Sequence, residues 1–408
     1  MAEPIAPEAI AETHQPRFRT EIHADLEVSV VIPCLDEEDT VGICVAEALR
    51  VMRASGIRGE VIVADNGSTD GSQDVAVAAG ARVVAVERRG YGNALMGGIE
   101  RARGDLVVMG DADDSYDFGE IPKFVEALRE GADLAQGCRL PSGGGRILPG
   151  AMPPLHRWLG NPMFSGLARR MFSVPVHDIN CGLRAFRRDL YRSLDLRCTG
   201  MEFATEMVIK SRLYGARIVE VPTVLHPDGR RGRAPHLRTV RDGWRTLRFY
   251  LLYSPRWLFL YPSVALILFG LIGYALAYPA VRIGPATLGV HTLLVSSLAI
   301  LIGHQALLFA IASKTFAIAE GLHPPDPHLD RFFRLMNLET GILVSVMTLA
   351  AGIGLLALSV DQWISVGFGP LDYSRTMRWV IPGVTLTALG FQTLLWSFFV
   401  SVLGLRRK

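Results

Sequence analysis

Apolar positions fall into two regimes along the chain. Up to about Trp257, short β-branched runs alternate with stretches in which apolar residues recur every three or four positions. Beyond it, charges almost vanish for long intervals. In the first regime, Val28 to Pro33, Glu60 to Ala64, Arg82 to Val86 and Asp105 to Met109 predict strands, and Asp39 to Arg53 predicts a helix. That alternation predicts an α/β domain with a mostly parallel sheet and covering helices. In the second regime four runs reach the length of about 20 residues needed to cross a bilayer: roughly Leu258 to Tyr278, Leu288 to Ile311, Gly341 to Val360 and Val380 to Leu403.

Between the regimes, Leu237, Val240, Trp244, Leu247 and Leu251 share one helical face while the arginines fall mainly elsewhere. This predicts an amphipathic juxtamembrane helix lying at the membrane surface, with packing on the soluble domain as the alternative. Arg238, Arg241, Arg245, Arg248 and Arg256 precede the first span, and Arg406, Arg407 and Lys408 follow the last. The positive-inside rule therefore places both ends of the four-span region in the cytoplasm, against a weaker contrary signal from Arg375 and Arg378. The expected organisation is a flexible N-terminal tail over 1–27, a catalytic domain over 28–235, the juxtamembrane helix over 236–257 and four transmembrane helices over 258–408.

Composition narrows the function classes. Half of the 408 residues are hydrophobic, and the formal net charge is only +2, which argues for a membrane protein and against a nucleic-acid binder. The five cysteines, Cys34, Cys44, Cys138, Cys181 and Cys198, have no CxxC spacing and read as free thiols of a reducing compartment. Met1 to Glu27 lacks an apolar core of signal-peptide length, so the domain after it is expected in the cytoplasm.

Polar clusters fall at strand ends, where open α/β sheets bind ligands. Asp36-Glu37-Glu38 follows the first strand and Asp65-Asn66-Gly67-Ser68-Thr69-Asp70 the second. Carboxylates there suit the N–H groups of a base and the hydroxyls of a ribose, although each cluster alone also fits a turn. The most informative cluster is Asp111-Ala112-Asp113-Asp114-Ser115. Three carboxylates within four residues repel one another unless a cation is present, and hard oxygen ligands suit Mg²⁺ or Mn²⁺. Tyr91 to Gly98 looks like a phosphate loop only superficially: a dinucleotide fingerprint needs glycine where Leu95 stands, and the chain contains no GxxxxGK[ST].

The strings VVIPCLDEEDTV, VIVADNGSTDGS, GYGNALMGGIERARGDLVVMGDADDS, QGCRL, NCGLRAFRRD and GMEFATEM follow one another as in the family 2 glycosyltransferases. They are most similar to those of the polyprenyl-phosphate (dolichyl-phosphate) mannosyl and glucosyl synthases. The resemblance covers about Val28 to Pro227. It implies the GT-A fold and inverting transfer of a hexose from a UDP- or GDP-sugar to a polyprenyl phosphate at the cytoplasmic face of a cell inner membrane or its equivalent. It further implies that Pro33, Leu35, Glu37 and Asp65 line the nucleoside pocket, and that Asp111 and Asp113 hold Mg²⁺ or Mn²⁺ and the diphosphate. Arg139, in Gly137-Cys138-Arg139, is expected to face phosphate. Arg184 and Glu206 stand at motif positions of the active site, with a simple Glu206–Lys210 pair along the helix Glu202 to Leu213 as the alternative for Glu206.

Three departures from the family pattern stand out. Asn66 replaces the second carboxylate of the usual D-D-G-S. Asp114-Ser115 replaces the usual Leu-Gln after D-A-D, which leaves open whether either joins the metal shell. A basic loop, Asp228 to His236, replaces a compact R-x-x-G-x-S-K segment, so Arg230, Arg231 and Arg233 are the candidates to close over diphosphate. An anionic lipid phosphate needs no general base, which fits a site rich in arginine. The alternatives are a processive polysaccharide synthase, for which Tyr253-Ser254-Pro255-Arg256-Trp257 is a poor match to Q-x-x-R-W, and a non-catalytic membrane scaffold or lipid carrier. The expected partners are the nucleotide-sugar, the lipid phosphate and the membrane. A homo-oligomer stays open.

Overall fold

A computed structural model describes residues 25–230 and 239–403 and divides into two compact units after Tyr250. All but the last three residues of the tail expected over 1–27 lie outside the described residues, as do Leu237, Arg231 and Arg233.

The first unit is built on a seven-stranded sheet of order β3-β2-β1-β4-β7-β5-β8. Its strands are β1 (Val28–Cys34), β2 (Gly59–Asp65), β3 (Arg82–Ala85), β4 (Leu106–Met109), β5 (Leu134–Cys138), β7 (Arg184–Arg187) and β8 (Ile218–Pro222). A small parallel pair, β6 (Arg146–Ile147) and β9 (Val224–Leu225), stands apart. All pairings in the large sheet are parallel except those of β7, which runs antiparallel to both β4 and β5. β1 and β4 are buried on both faces, as near-continuous Val/Ile/Leu/Met runs require.

Helices α1 (Val41–Ala54), α2 (Ser72–Ala78), α3 (Tyr91–Glu100) and α4 (Ile121–Arg129) cover the sheet. α1 buries Val41, Cys44, Val45, Ala48, Val51 and Met52, which recur at three- and four-residue spacing. All of these but Val51 join Val30, Ile32, Val63, Val108, Phe118 and Phe124 in one core. α5 (Asn161–Phe172), α6 (Arg188–Leu194), α7 (Glu202–Leu213) and α8 (Thr239–Leu252) complete the unit. Pairing sets Cys34 beside Asp65 and Val31 beside Met109. The carboxyl ends of β1, β2 and β4 therefore share one edge, and all three acidic clusters emerge there.

α8 packs through Asp242, Phe249 and Tyr250, with the Tyr250 ring edge-on to Phe164 and Phe172 of α5. Its other apolar side is open: Val240 and Trp244 are exposed. The segment leading into α5 is open too, with Leu155, Trp158, Leu159 and Met163 exposed and Arg157 lying 5.2 Å over the Trp158 ring. A 2.9 Å contact between His156 Nε2 and Thr239 Oγ1 joins the two segments.

The second unit holds four helices long and apolar enough to span a bilayer: Arg256–Ala277, Val290–Ala319, Leu338–Ser365 and Tyr373–Leu403. The helical parts carry labels α9 (Tyr261–Ala277), α10 (Val290–Ala319), α12 (Leu338–Ser365) and α13 (Tyr373–Leu403), and a short helix, α11 (Pro327–Leu335), lies between the second and third spans. Close contacts run through small residues. A Cβ at Gly303 would stand 2.9 Å from the Ser263 carbonyl oxygen and one at Gly390 2.6 Å from the Leu349 nitrogen. Phe269, Ile272, Leu294, Leu298, Met347 and Phe398 remain exposed, a surface suited to lipid.

Candidate active site

The loops after β1 and β2 are zipped together by backbone and side-chain bonds. Glu37 N donates to Ser72 Oγ at 2.8 Å, Asn66 N to the Cys34 carbonyl at 2.9 Å, and Thr69 N to Asp36 Oδ1 at 2.7 Å. Asp36 takes a left-handed φ of 55° to make this closure. Asp65 is buried and accepts from Gly67 N at 3.0 Å and Gln73 Nε2 at 2.8 Å, so its carboxylate is rigidly held. Pro33 and Leu35 are half-buried beside the buried Glu37.

Asn66 has a physical reason to differ from a carboxylate. Its Nδ2 donates to the carbonyls of Val86 at 3.0 Å and Arg88 at 2.8 Å, while Oδ1 accepts from Gly90 N at 2.7 Å. An ionised Asp can accept the last bond but cannot donate the first two. Asn66 therefore fixes the turn from β3 into α3. The first N–H groups of α3 are taken as well, since Gly92 N and Asn93 N donate to the Thr199 carbonyl at 3.0 and 3.3 Å. At Gly90, with φ of 134°, a side chain would strike that same carbonyl. Gly92 N and Asn93 N are thus not free to cradle a phosphate.

The loop after β4 carries the densest charge. Tyr91 Oη donates to Asp111 Oδ1 at 2.9 Å. On the other side, a Cβ at Gly182 would lie 2.6 Å from Asp111 Oδ2, so only glycine leaves that oxygen room. Burial, and secondarily the neighbouring Asp113, push the Asp111 carboxyl up to about 6. Asp113 Oδ1 accepts from Ser115 Oγ at 2.6 Å and Ser115 N at 3.1 Å, so Ser115 orients this carboxylate. Asp114 turns through φ of 61°, towards Gly229. The small pair β6–β9 brings the following segment over the loop: His226 N donates to the Ser115 carbonyl and Gly229 N to the Asp113 carbonyl, both at 2.9 Å. Arg230 is thereby aimed between two carboxylates. It meets Glu37 through Nε and Nη2, and its Nη2 lies 3.4 Å from Asp113 Oδ2.

Among the described residues no three His, Cys, Asp or Glu side chains converge as a ready-made cage for a metal ion. Two carboxylates plus oxygens of a bound diphosphate and water is nonetheless the donor set that Mg²⁺ takes in phosphate-handling sites. The mutual repulsion of Asp111 and Asp113, and the opening beside Asp111 that Gly182 preserves, fit such an ion.

The remaining expected site residues are turned inward. Arg139 was expected to face phosphate, but its Nε and Nη2 donate to Asp178 at 2.7 and 2.9 Å and its Nη1 to Tyr116 Oη at 3.2 Å. Asp178 is fully buried, and this pairing neutralises it. Arg184 is fully buried, with Nη2 donating to the Cys181 carbonyl at 2.6 Å and Nη1 to that of Ala204 at 2.5 Å. Glu206 does pair with Lys210, at 3.3 Å, with both side chains wholly inaccessible. Its Oε2 also accepts from Arg197 N at 3.0 Å and Cys198 N at 2.8 Å. Glu206 thus holds the loop whose Thr199 carbonyl seats α3, and α3 carries Tyr91 to Asp111. In this structure Arg139, Arg184 and Glu206 are all engaged in bonds within the protein. Sequence reasoning missed Asp178, Tyr116, Tyr91 and Gly182, whose roles depend on contacts across the fold.

Two family models match the chain. One, glycosyl transferase family 2, covers residues 29–195, and the other, glycosyltransferase family 2 C-terminal transmembrane region, covers residues 311–404. A low-salt glycan biosynthesis hexosyltransferase of Haloferax volcanii is 36% identical over 378 residues, 92% of this chain and 89% of the relative. A dolichyl-phosphate hexose transferase of the same organism is 33% identical over 48% of this chain and 81% of its own length. An undecaprenyl-phosphate 4-deoxy-4-formamido-L-arabinose transferase of Edwardsiella ictaluri is 31% identical over 51% of this chain and 62% of its own length. Among solved structures, a glucosyl-3-phosphoglycerate synthase of Mycobacterium tuberculosis matches with 26% identity and a TM-score of 0.46, over 56% of this chain and 79% of that one. The chain is a membrane protein and an enzyme of glycosyltransferase family 2, with a GT-A-like domain followed by the family's C-terminal transmembrane region.

Proposed function

We propose that this enzyme moves a hexose from a UDP- or GDP-sugar to a polyprenyl phosphate, with inversion, at the cytoplasmic face of the membrane. The observation that carries the reading is the pairing of Asp111 and Asp113 at one strand end with Arg230 set across from them and Glu37. In this reading Asp111 and Asp113 hold Mg²⁺ or Mn²⁺, which when bound neutralises the departing diphosphate. Glu37, Asp65, Pro33 and Leu35 form the nucleoside pocket. Arg230 exchanges carboxylate partners for phosphate oxygens, and Arg231 and Arg233, which follow it in the sequence outside the described residues, are candidates for the same task.

The acceptor phosphate is already an oxyanion at neutral pH, so no side chain need remove a proton from it. The work of the protein is alignment of the acceptor oxygen with the anomeric carbon and stabilisation of the leaving diphosphate. Tyr91, Ser115 and Gly182 fix the two carboxylates for that task. Support for a lipid acceptor comes from relatives named for dolichyl and undecaprenyl phosphate and from the four spans. The test is titration of UDP and GDP against wild type and Asp113→Asn, with and without Mg²⁺. Binding that strengthens with metal in wild type only supports the reading, and metal-independent binding and turnover in wild type reject it.

A further inference from the structure

Two neighbouring segments of the first unit expose apolar side chains that its core leaves uncovered. The helical turn His156–Gly160, its preceding residue and the start of α5 turn out Leu155, Trp158, Leu159 and Met163, with Trp158 75% exposed. α8 turns out Val240, Trp244 and Leu252, with Val240 86% exposed. The segments run side by side. His156 meets Thr239, a Cβ at Gly243 would stand 3.6 Å from the Phe164 ring, and Tyr250 lies edge-on to Phe172.

Charge narrows what covers this surface. No Asp or Glu occurs from Leu134 to His177, and the one acidic residue from Thr239 to Trp257, Asp242, is buried. Arg241 and Arg245 lie 3.5 and 3.9 Å from Asp242, so one carboxylate faces two guanidinium groups. Arg157 and Arg248 add to the positive excess, the former 5.2 Å over the Trp158 ring. Tryptophan and leucine set among arginines match the boundary between acyl chains and anionic head groups.

Chain continuity favours a bilayer over a protein partner. Only Tyr253, Ser254 and Pro255 stand between the end of α8 and Arg256, where the first span begins. Four peptide steps reach at most about 14 Å, so the end of α8 stays close to the bilayer surface.

We infer that the turn His156–Gly160 and α8 together dock the catalytic unit on an anionic lipid surface, with Leu155, Trp158, Leu159, Val240 and Trp244 entering the head-group boundary. The sequence pattern pointed to α8 alone; the segment leading into α5 is the second half of the dock. Its continuation touches the loop before β7. Asn161 Oδ1 accepts from Asn180 Nδ2 at 3.1 Å and Ser165 Oγ from Ile179 N at 3.2 Å, and that loop runs on to Gly182 beside Asp111. One helix therefore separates the docked surface from the loop that borders the Asp111 carboxylate.

The experiment uses the full chain in nanodiscs of phosphatidylcholine, alone or mixed with phosphatidylglycerol, doped with a phospholipid whose diazirine sits near the head-group end of its acyl chain. Mass spectrometry locates the photolabel. In the mixed bilayer, label is expected on 155–163 and 240–252 several-fold above that at Ile43 and Val77, exposed apolar residues on α1 and α2. It should fall in phosphatidylcholine alone and at high salt. Trp158→Glu and, independently, Trp244→Glu are expected to lower label on both segments, since both positions are exposed and their insertion is shared. Joint replacement of Arg157, Arg241 and Arg248 by Gln should give in the mixed bilayer the label that wild type shows in phosphatidylcholine. Background label on 155–163 of wild type overturns the inference, and that reading needs no variant to fold. Label indifferent to lipid charge and to the three arginines overturns it as well, as do cross-links between two copies of the chain through this surface in place of lipid label. None of these readouts involves sugar transfer, so they leave the functional reading above to its own test.

Discussion

Arg230 reaches Glu37 through both Nε and Nη2, at 2.5 to 3.0 Å, although 193 residues separate them in sequence. The same Nη2 lies 3.4 Å from Asp113 Oδ2. One guanidinium thus touches both the loop assigned to the nucleoside and the loop assigned to metal and diphosphate. If Arg230 trades these partners for phosphate oxygens, Arg230→Ala weakens UDP or GDP by about tenfold or more but leaves UMP or GMP nearly unchanged, since a charge-assisted pair is worth roughly 1.5–3 kcal/mol. Calorimetry with the four nucleotides in Mg²⁺ checks this. Equal losses for mono- and diphosphates would show that Arg230 acts only by shaping the nucleoside pocket.

Arg139 and Asp178 make the opposite kind of prediction. Asp178 is fully buried and its pairing with Arg139 leaves no oxygen without a partner. Removing one member strands the other, so Asp178→Ala should lower stability by about 3–5 kcal/mol. Denaturant melts of the catalytic unit within the intact protein report it. Normal stability combined with a selective rise in KM for lipid phosphate would restore Arg139 to direct contact with the acceptor.

The pH dependence follows from Asp111. Its carboxyl is pushed from an ordinary 3.8 up to about 6, first by burial and then by Asp113. Between those values the metal-free native state keeps a proton that the unfolded chain has released. Stability without metal should therefore fall as pH rises from about 4 to 6, then level off. Metal competes for the same oxygens, so apparent Mg²⁺ affinity should drop about tenfold per pH unit below about 6. Asp113→Asn removes only the secondary cause and should narrow the window without abolishing it. A Mg²⁺ affinity flat from pH 5 to 7 would contradict the role given to Asp111.

Much of this arrangement was legible before any coordinates. The strands expected over Val28 to Pro33 and Glu60 to Ala64 appear as Val28–Cys34 and Gly59–Asp65, and the helix Glu202 to Leu213 has those ends. Long apolar runs and strand-end carboxylates are local patterns, so sequence carries them. The antiparallel insertion of β7 between β4 and β5 was not legible, because a four-residue strand containing Arg184 and Arg187 carries no hydropathy signature. The Arg139–Asp178 pair was not legible for a related reason: the partners lie 39 residues apart, with Asp178 in a segment that has no periodic pattern. α11 was missed because nine residues between two spans are too few to register beside runs of 28 and 30.

Topology gives a separate check. The first two spans are joined by a hairpin of Arg282–Ile283 and Ala286–Thr287. Reporter fusions near Gly284 and after Lys408 should report opposite sides of the membrane, with the latter cytoplasmic. The same side for both would break the four-span arrangement.

The central claim is metal-dependent transfer of a hexose to a lipid phosphate, and one measurement tests it most directly. Purified full-length protein is incubated with a panel of UDP- and GDP-hexoses, polyprenyl phosphate and Mg²⁺, and the lipid fraction is analysed by mass spectrometry. The predicted result is a polyprenyl phosphate carrying one hexose, formed with a single preferred nucleotide, abolished by chelator and reduced by orders of magnitude in Asp113→Asn. Undiminished product after chelation, or sugar released or polymerised with no glycosylated lipid, would contradict the account.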